Sequence, residues 1–132
     1  YSPDLVEIGR QEAKQRKLSN VEFFVSPAED FVTSSDFDVI FISGLFVYMD
    51  DDQADKLMDN ISAACHSTTK VLLRDGTAIE GRFEINNRMS EHLQTEYSAS
   101  YRSRQEYFEI FEILLYRNVS HFQQVILTAS SF

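Results

Sequence analysis

Apolar positions along the chain change period several times, and each change predicts an element. Leu5, Ile8, Gly9, Glu12 and Ala13 trace a partial helical face running to about Lys17. Ser2 can cap that helix, Pro3 suits its first turn, and Asp4 and Glu7 sit where the positive end of the helix dipole favours them. Val21 to Val25 reads as a short strand ended by Pro27, and Ala28 to Val32 as a turn or short helix before the break at Thr33 to Ser35. Asp38 to Ser43 is almost wholly apolar, the pattern of a parallel strand buried on both faces. Ala54, Leu57, Met58, Ile61, Ala64 and Cys65 then recur at helical spacing to about His66, and Lys70 to Leu73 reads as another short strand.

Residues 76–101 break this rhythm. The stretch is polar, holds Gly76, Gly81 and the pair Asn86 and Asn87, and is long for a connection, which predicts a lid over a site. A helix is expected from Arg102 to about Glu112, followed by strands near Leu114 to Val119 and Gln124 to Ala129. Strands alternating with helices imply right-handed crossovers and an α/β, doubly wound, mostly parallel sheet within one domain, residues 1–132.

Composition narrows the partners. Twelve basic against 21 acidic residues give a net charge of −9, which argues against a surface that tracks nucleic-acid phosphates. The single cysteine, Cys65, fits a reducing compartment, and with no apolar run of membrane-spanning length the expectation is a cytoplasmic protein.

Candidate chemistry follows from the rule that ligands of an open α/β sheet bind beyond the C-terminal ends of its strands. That rule selects Ala28 to Asp30, Ser43 to Tyr48 and Arg74 to Thr77. Gly44 either lets a ligand approach the backbone or only eases a turn. Asp50 to Asp52 read as helix-capping carboxylates rather than metal ligands, so no metal is expected. His66 suits a helix C-terminus, and Cys65 a small core position on the apolar helical face. Tyr97 and Tyr101 fall one turn apart if the segment is helical, and with Arg102 they are candidates for substrate contact, against the alternative of rings docked on the core.

The order of these pieces resembles the class I S-adenosylmethionine-dependent methyltransferases, with a Rossmann-like fold. Tyr1-Ser-Pro-Asp-Leu-Val-Glu7 is similar to the segment after that family's second strand, and Phe24-Val-Ser-Pro-Ala-Glu-Asp-Phe31 to the turn after its third, which borders the adenine. Phe37-Asp-Val-Ile-Phe-Ile-Ser-Gly-Leu-Phe-Val-Tyr-Met-Asp50 resembles the fourth strand and its loop, and Val71-Leu-Leu-Arg-Asp75 the end of the fifth. The resemblance implies S-adenosylmethionine held by Tyr1, Ser2, Ala28, Glu29, Asp30, Ser43, Gly44 and Leu45. It implies a small-molecule acceptor met by Arg74, Tyr97, Tyr101 and Arg102, with Asp75, His92 and Tyr101 as candidate bases.

Three departures qualify the resemblance. The family's first strand, its glycine-rich turn and the acidic ribose ligand would lie before Tyr1. Pro27 stands where many members carry an adenine-binding Asp, a role Glu29 or Asp30 could take over. Phe111-Glu-Ile-Leu-Leu115 replaces a usual Gly-Phe. The expectation is therefore weak cofactor binding by these residues alone, and an apolar edge at Asp38 to Ser43 that invites a homodimer. A non-catalytic interaction or scaffold module built on the same fold is the alternative.

Overall fold

The computed structural model describes residues 2–90 and 94–116, with the side chains of residues 113–116 excluded. The order is α1 (Pro3–Gln15), a 3-10 turn (Ala28–Asp30), β1 (Phe37–Ser43), a second 3-10 turn (Phe46–Tyr48), α2 (Asp51–Ala63), β2 (Cys65–Arg74), β3 (Phe83–Ser90), β4 (Thr95–Tyr101) and α3 (Arg104–Tyr116). The architecture is mixed α/β. β1 and β2 form a parallel pair and β3 and β4 an antiparallel one.

The first helix starts as its sequence dictates. Ser2 caps it by accepting from the Leu5 N–H at 3.4 Å, with Pro3 in the first turn. Its apolar face is only half used. Ala13 is buried and the bare Cα of Gly9 lies against the Phe23 ring, where a Cβ would come within 2.6 Å, whereas Leu5 and Ile8 stay exposed. The expected strand at Val21 to Val25 does not form, because no strand among the described residues lies alongside to take up its hydrogen bonds.

The core lies on one side of the parallel pair. Ile42 from β1 and Val71 and Leu73 from β2 pack against Ala54, Leu57, Met58 and Ile61 of α2, with Phe46, Met49, Tyr107 and Phe111 completing the cluster. Burial of β1 on both faces is not what the structure shows. Val39 and Phe41 alternate with the inward Ile40 and Ile42 and are 55% and 62% exposed. Among the described residues, β2 is the one strand paired with β1.

α2 begins with a reciprocal capping box in which Asp50 accepts from the Gln53 N–H at 2.8 Å and Gln53 accepts from the Asp50 N–H at 3.1 Å. It ends at Ala63, earlier than its apolar spacing suggests, and Cys65 and His66 open β2 instead. Cys65 still packs on the core, and burial pushes its thiol above the ordinary value. His66 meets Asp38 at 3.2 Å rather than a helix terminus.

The polar stretch expected as an irregular lid contains a β-hairpin. β4 alternates Tyr97, Ala99 and Tyr101 on one face, and this face meets the Phe46–Tyr48 turn. Asn87, at φ 46°, makes a bulge where the register shifts between Ile85 and Arg88, and Ser98 Oγ secures it by accepting from the Asn87 N–H at 3.0 Å. α3 carries Leu114 to Tyr116, so the strand expected from Leu114 does not begin there. The remainder of that strand and the one at Gln124 to Ala129 lie outside the described residues.

Candidate functional site

The parallel pair sends its C-terminal ends to one place, and what gathers there defines the candidate site. β1 ends at Ser43 and β2 at Arg74, a register pair across the ladder. Arg74 Nη1 donates to Ser43 Oγ at 3.4 Å, and the Gly44 N–H donates to the Arg74 carbonyl at 2.8 Å. Gly44 then turns at φ +62°, with no atom within 4 Å of where a Cβ would stand. Its backbone is therefore open to close approach from that side, which only glycine permits without strain.

Asp75 closes β2 and is 4% exposed. Its two carboxylate oxygens accept from the N–H groups of Phe46 at 2.8 Å and Gly76 at 2.9 Å. Burial pushes its pKa above the usual carboxylate range, while the N–H groups of Gly76, Phe46, Leu45 and Val47 pull the other way. Asp75, the expected base, is an internal anchor for the loop after Gly44.

Arg102, expected at a substrate, is 0% exposed. Its guanidinium donates to the Phe46 carbonyl at 2.7 Å, to the Met49 carbonyl at 3.0 Å and to Asp51 at 2.7 Å. Tyr107, equally buried, sets its hydroxyl beside Asp75 and Arg102, and burial pushes its pKa well up.

Tyr97 and Tyr101 share a face of β4, as expected of the pair but for a different reason: in a strand, residues four apart point the same way. The Tyr101 ring lies against Gly76, 2.9 Å from where a Cβ would stand, and faces Phe83 at 6.1 Å. Its pKa is raised by burial first, then by Tyr97, Tyr48 and Asp75.

The turn at Ala28 to Asp30 faces α2. Gln53 donates to Glu29 Oε1 at 2.9 Å, Asn60 donates to the Glu29 carbonyl at 2.8 Å, and Lys56 pairs with Asp30. These contacts tie the two carboxylates expected near an adenine to the helix. Ser2 serves as a helix cap, and Tyr1 and His92 lie outside the described residues. No group of three or more His, Cys, Asp or Glu side chains that could hold a metal ion occurs among the described residues.

Two residues of consequence were not singled out as site residues. Arg82 grips both carboxylate oxygens of Asp51 at 2.9 and 3.0 Å and Glu106 at 2.8 Å, joining the segment before the hairpin to α2 and α3. Asp51 thereby receives two arginines, and their hydrogen bonds hold its carboxyl below the ordinary range. The spacing of these residues along the chain gives no hint of this, since 31 positions separate Asp51 from Arg82.

A parallel β-strand pair flanked by helices, with a bare glycine turn beyond the strand ends, defines a mixed α/β domain. The methyltransferase domain family matches residues 1–68, which is more than half of the chain, and the chain belongs to that family. Members of the family typically use S-adenosylmethionine, and the family implies a Rossmann-like fold. No curated protein and no solved structure gives a match.

Proposed function

We propose that the chain serves a methyltransferase that moves the methyl group of S-adenosylmethionine to a small-molecule acceptor, on a Rossmann-like doubly wound fold. The observation that carries this reading is the open Gly44 turn at the end of β1 in a chain of the methyltransferase domain family. Ser43, Gly44 and Leu45 fit the methionine end of the cofactor, because a backbone without a side chain there admits a ligand closely. Ala28 offers its backbone near the adenine, since Glu29 and Asp30 are engaged with α2.

Bound there, the cofactor supplies an activated methyl on sulfur, so the protein's task is alignment and exclusion of water. Asp75 holds the loop after Gly44 by its N–H groups. Tyr97 and Tyr101 present phenol rings on the β4 face that meets this loop, where they can flank an acceptor and donate hydrogen bonds. Arg74, exposed at the end of β2, adds a positive charge beside Ser43. The acidic balance of the chain supports a small molecule over a nucleic acid as acceptor. A single cysteine supports a reducing, cytoplasmic setting.

Titration of the protein, at its full gene-encoded length, with S-adenosylhomocysteine should give micromolar binding by calorimetry. Gly44→Val, strained at positive φ and filling the open side, should weaken it by about tenfold. Silence at millimolar ligand would overturn the reading. It would favour the second reading, an interaction module, which the outward Val39 and Phe41 of β1 support.

A further inference from the structure

The peptide that contains Phe46 N–H and the one that contains its carbonyl are gripped by buried charges of opposite sign. The N–H donates to Asp75 at 2.8 Å, and the carbonyl accepts from Arg102 at 2.7 Å. The two anchors arrive from different parts of the fold. Asp75 closes β2, whereas Arg102 directly follows β4 and takes its position from the hairpin. Arg102 also reaches the Met49 carbonyl and Asp51, so one side chain fixes the whole segment between the Gly44 turn and the start of α2.

Stability alone is a poor account of this arrangement. A guanidinium at 0% exposure with its Nε unpartnered is costly to desolvate, and an apolar side chain of similar volume often replaces such a group without loss. Directional bonds to two carbonyls do something an apolar residue cannot: they dictate one backbone conformation. They also make the position of Arg102 and the conformation of the loop mutually dependent.

We infer that Arg102 and Asp75 are positioning residues that couple the β3–β4 hairpin to the loop from Ser43 to Tyr48, so that occupancy at one side changes affinity at the other. The functional sense of this coupling rests on the methyl-transfer reading, with cofactor at the loop and acceptor under the hairpin. Displacing β4 displaces Arg102, and the Phe46 carbonyl either follows or keeps only the Met49 N–H at 3.2 Å. By linkage, a ligand at the loop changes affinity at the hairpin by the same factor as a ligand at the hairpin changes affinity at the loop.

Amide hydrogen exchange on the full-length protein tests this in two arms. Without ligand, Arg102→Met should speed exchange at residues 45–49 by at least about tenfold while α2 changes less than about twofold. Arg102→Lys, which can still reach one carbonyl, should recover part of the protection. Tyr107→Phe, which removes a hydroxyl beside Arg102 and Asp75 but leaves both grips on the Phe46 backbone in place, should leave residues 45–49 within about twofold. With S-adenosylhomocysteine present, the wild type should slow exchange in residues 83–90 and 95–101 by about threefold or more, and Arg102→Met should bind the compound without that response. Uniform acceleration through α2, no change at residues 45–49, or a hairpin response that survives Arg102→Met would each overturn the coupling. Absence of any S-adenosylhomocysteine binding would defeat the methyl-transfer reading instead, and the ligand-free arm would still decide whether the grip exists.

Discussion

Asp51 and Asp75 show how two aspartates of one chain take opposite roles from their surroundings. Asp51, largely exposed, is paired by Arg82 and Arg102, so its folded pKa lies below the ordinary 3.8. A lowered carboxylate contributes stability above its unfolded pKa and loses it as pH falls through the folded value. Asp75 works in reverse: burial raises its folded pKa, so the folded chain holds the proton more tightly than the unfolded one and stability falls as pH rises through that raised value. Asp51→Asn should therefore lower the urea midpoint at pH 6 and converge on the wild type as pH falls through the lowered folded value. Denaturation series at several pH values check this, and a constant difference across the range would contradict the pairing.

Among the elements, those whose residues bury an apolar stripe were legible from the sequence. α2 was readable because Ala54, Leu57, Met58 and Ile61 all reach the core, and the capping box at Asp50 marks its start. β1 and β2 were readable from runs of Val, Ile, Leu and Phe. The hairpin was not, because β3 shows no buried side chain and β4 hides its inward face behind Ala99, a residue too small to mark a pattern. The alternation Tyr97-Ser-Ala-Ser-Tyr101 was the signal that could have revealed it. The roles of Asp75 and Arg102 were illegible for another reason. Each bonds a backbone group far away in sequence, and no local pattern encodes such a contact. Within the hairpin, Asn87 occupies the left-handed region, which asparagine tolerates and a β-branched residue does not. Asn87→Val should cost about 1–2 kcal/mol, while Asn87→Gly should be nearly neutral. Thermal unfolding of the two variants, with the hairpin followed by limited proteolysis, separates them.

For the molecule as a whole, the two faces of the parallel pair are unequal. The inner face packs on α2 and α3, and the outer face presents Val39 and Phe41 to solvent beside an unpaired strand edge among the described residues. Unpaired edges invite pairing with another chain. We propose that copies of this chain associate through that face. Sedimentation should show concentration-dependent dimers, and Phe41→Lys should raise their dissociation constant by at least about tenfold without lowering the melting temperature of the monomer. Equal association by the two proteins would remove the face from consideration.

The same wet face leaves a mark on the thermodynamics of unfolding. Heat capacity rises on unfolding because apolar groups are newly hydrated, by about 12–15 cal/mol/K for each residue of an ordinary domain. Side chains such as Val39 and Phe41, already hydrated when folded, add little to that rise. The monomer should therefore unfold with a smaller increment per residue than this range, and its stability should vary less steeply with temperature on either side of the maximum. Calorimetry at several scan temperatures and pH values gives the increment directly. A value that climbs toward the ordinary range as concentration increases would report the outer face going dry as copies meet.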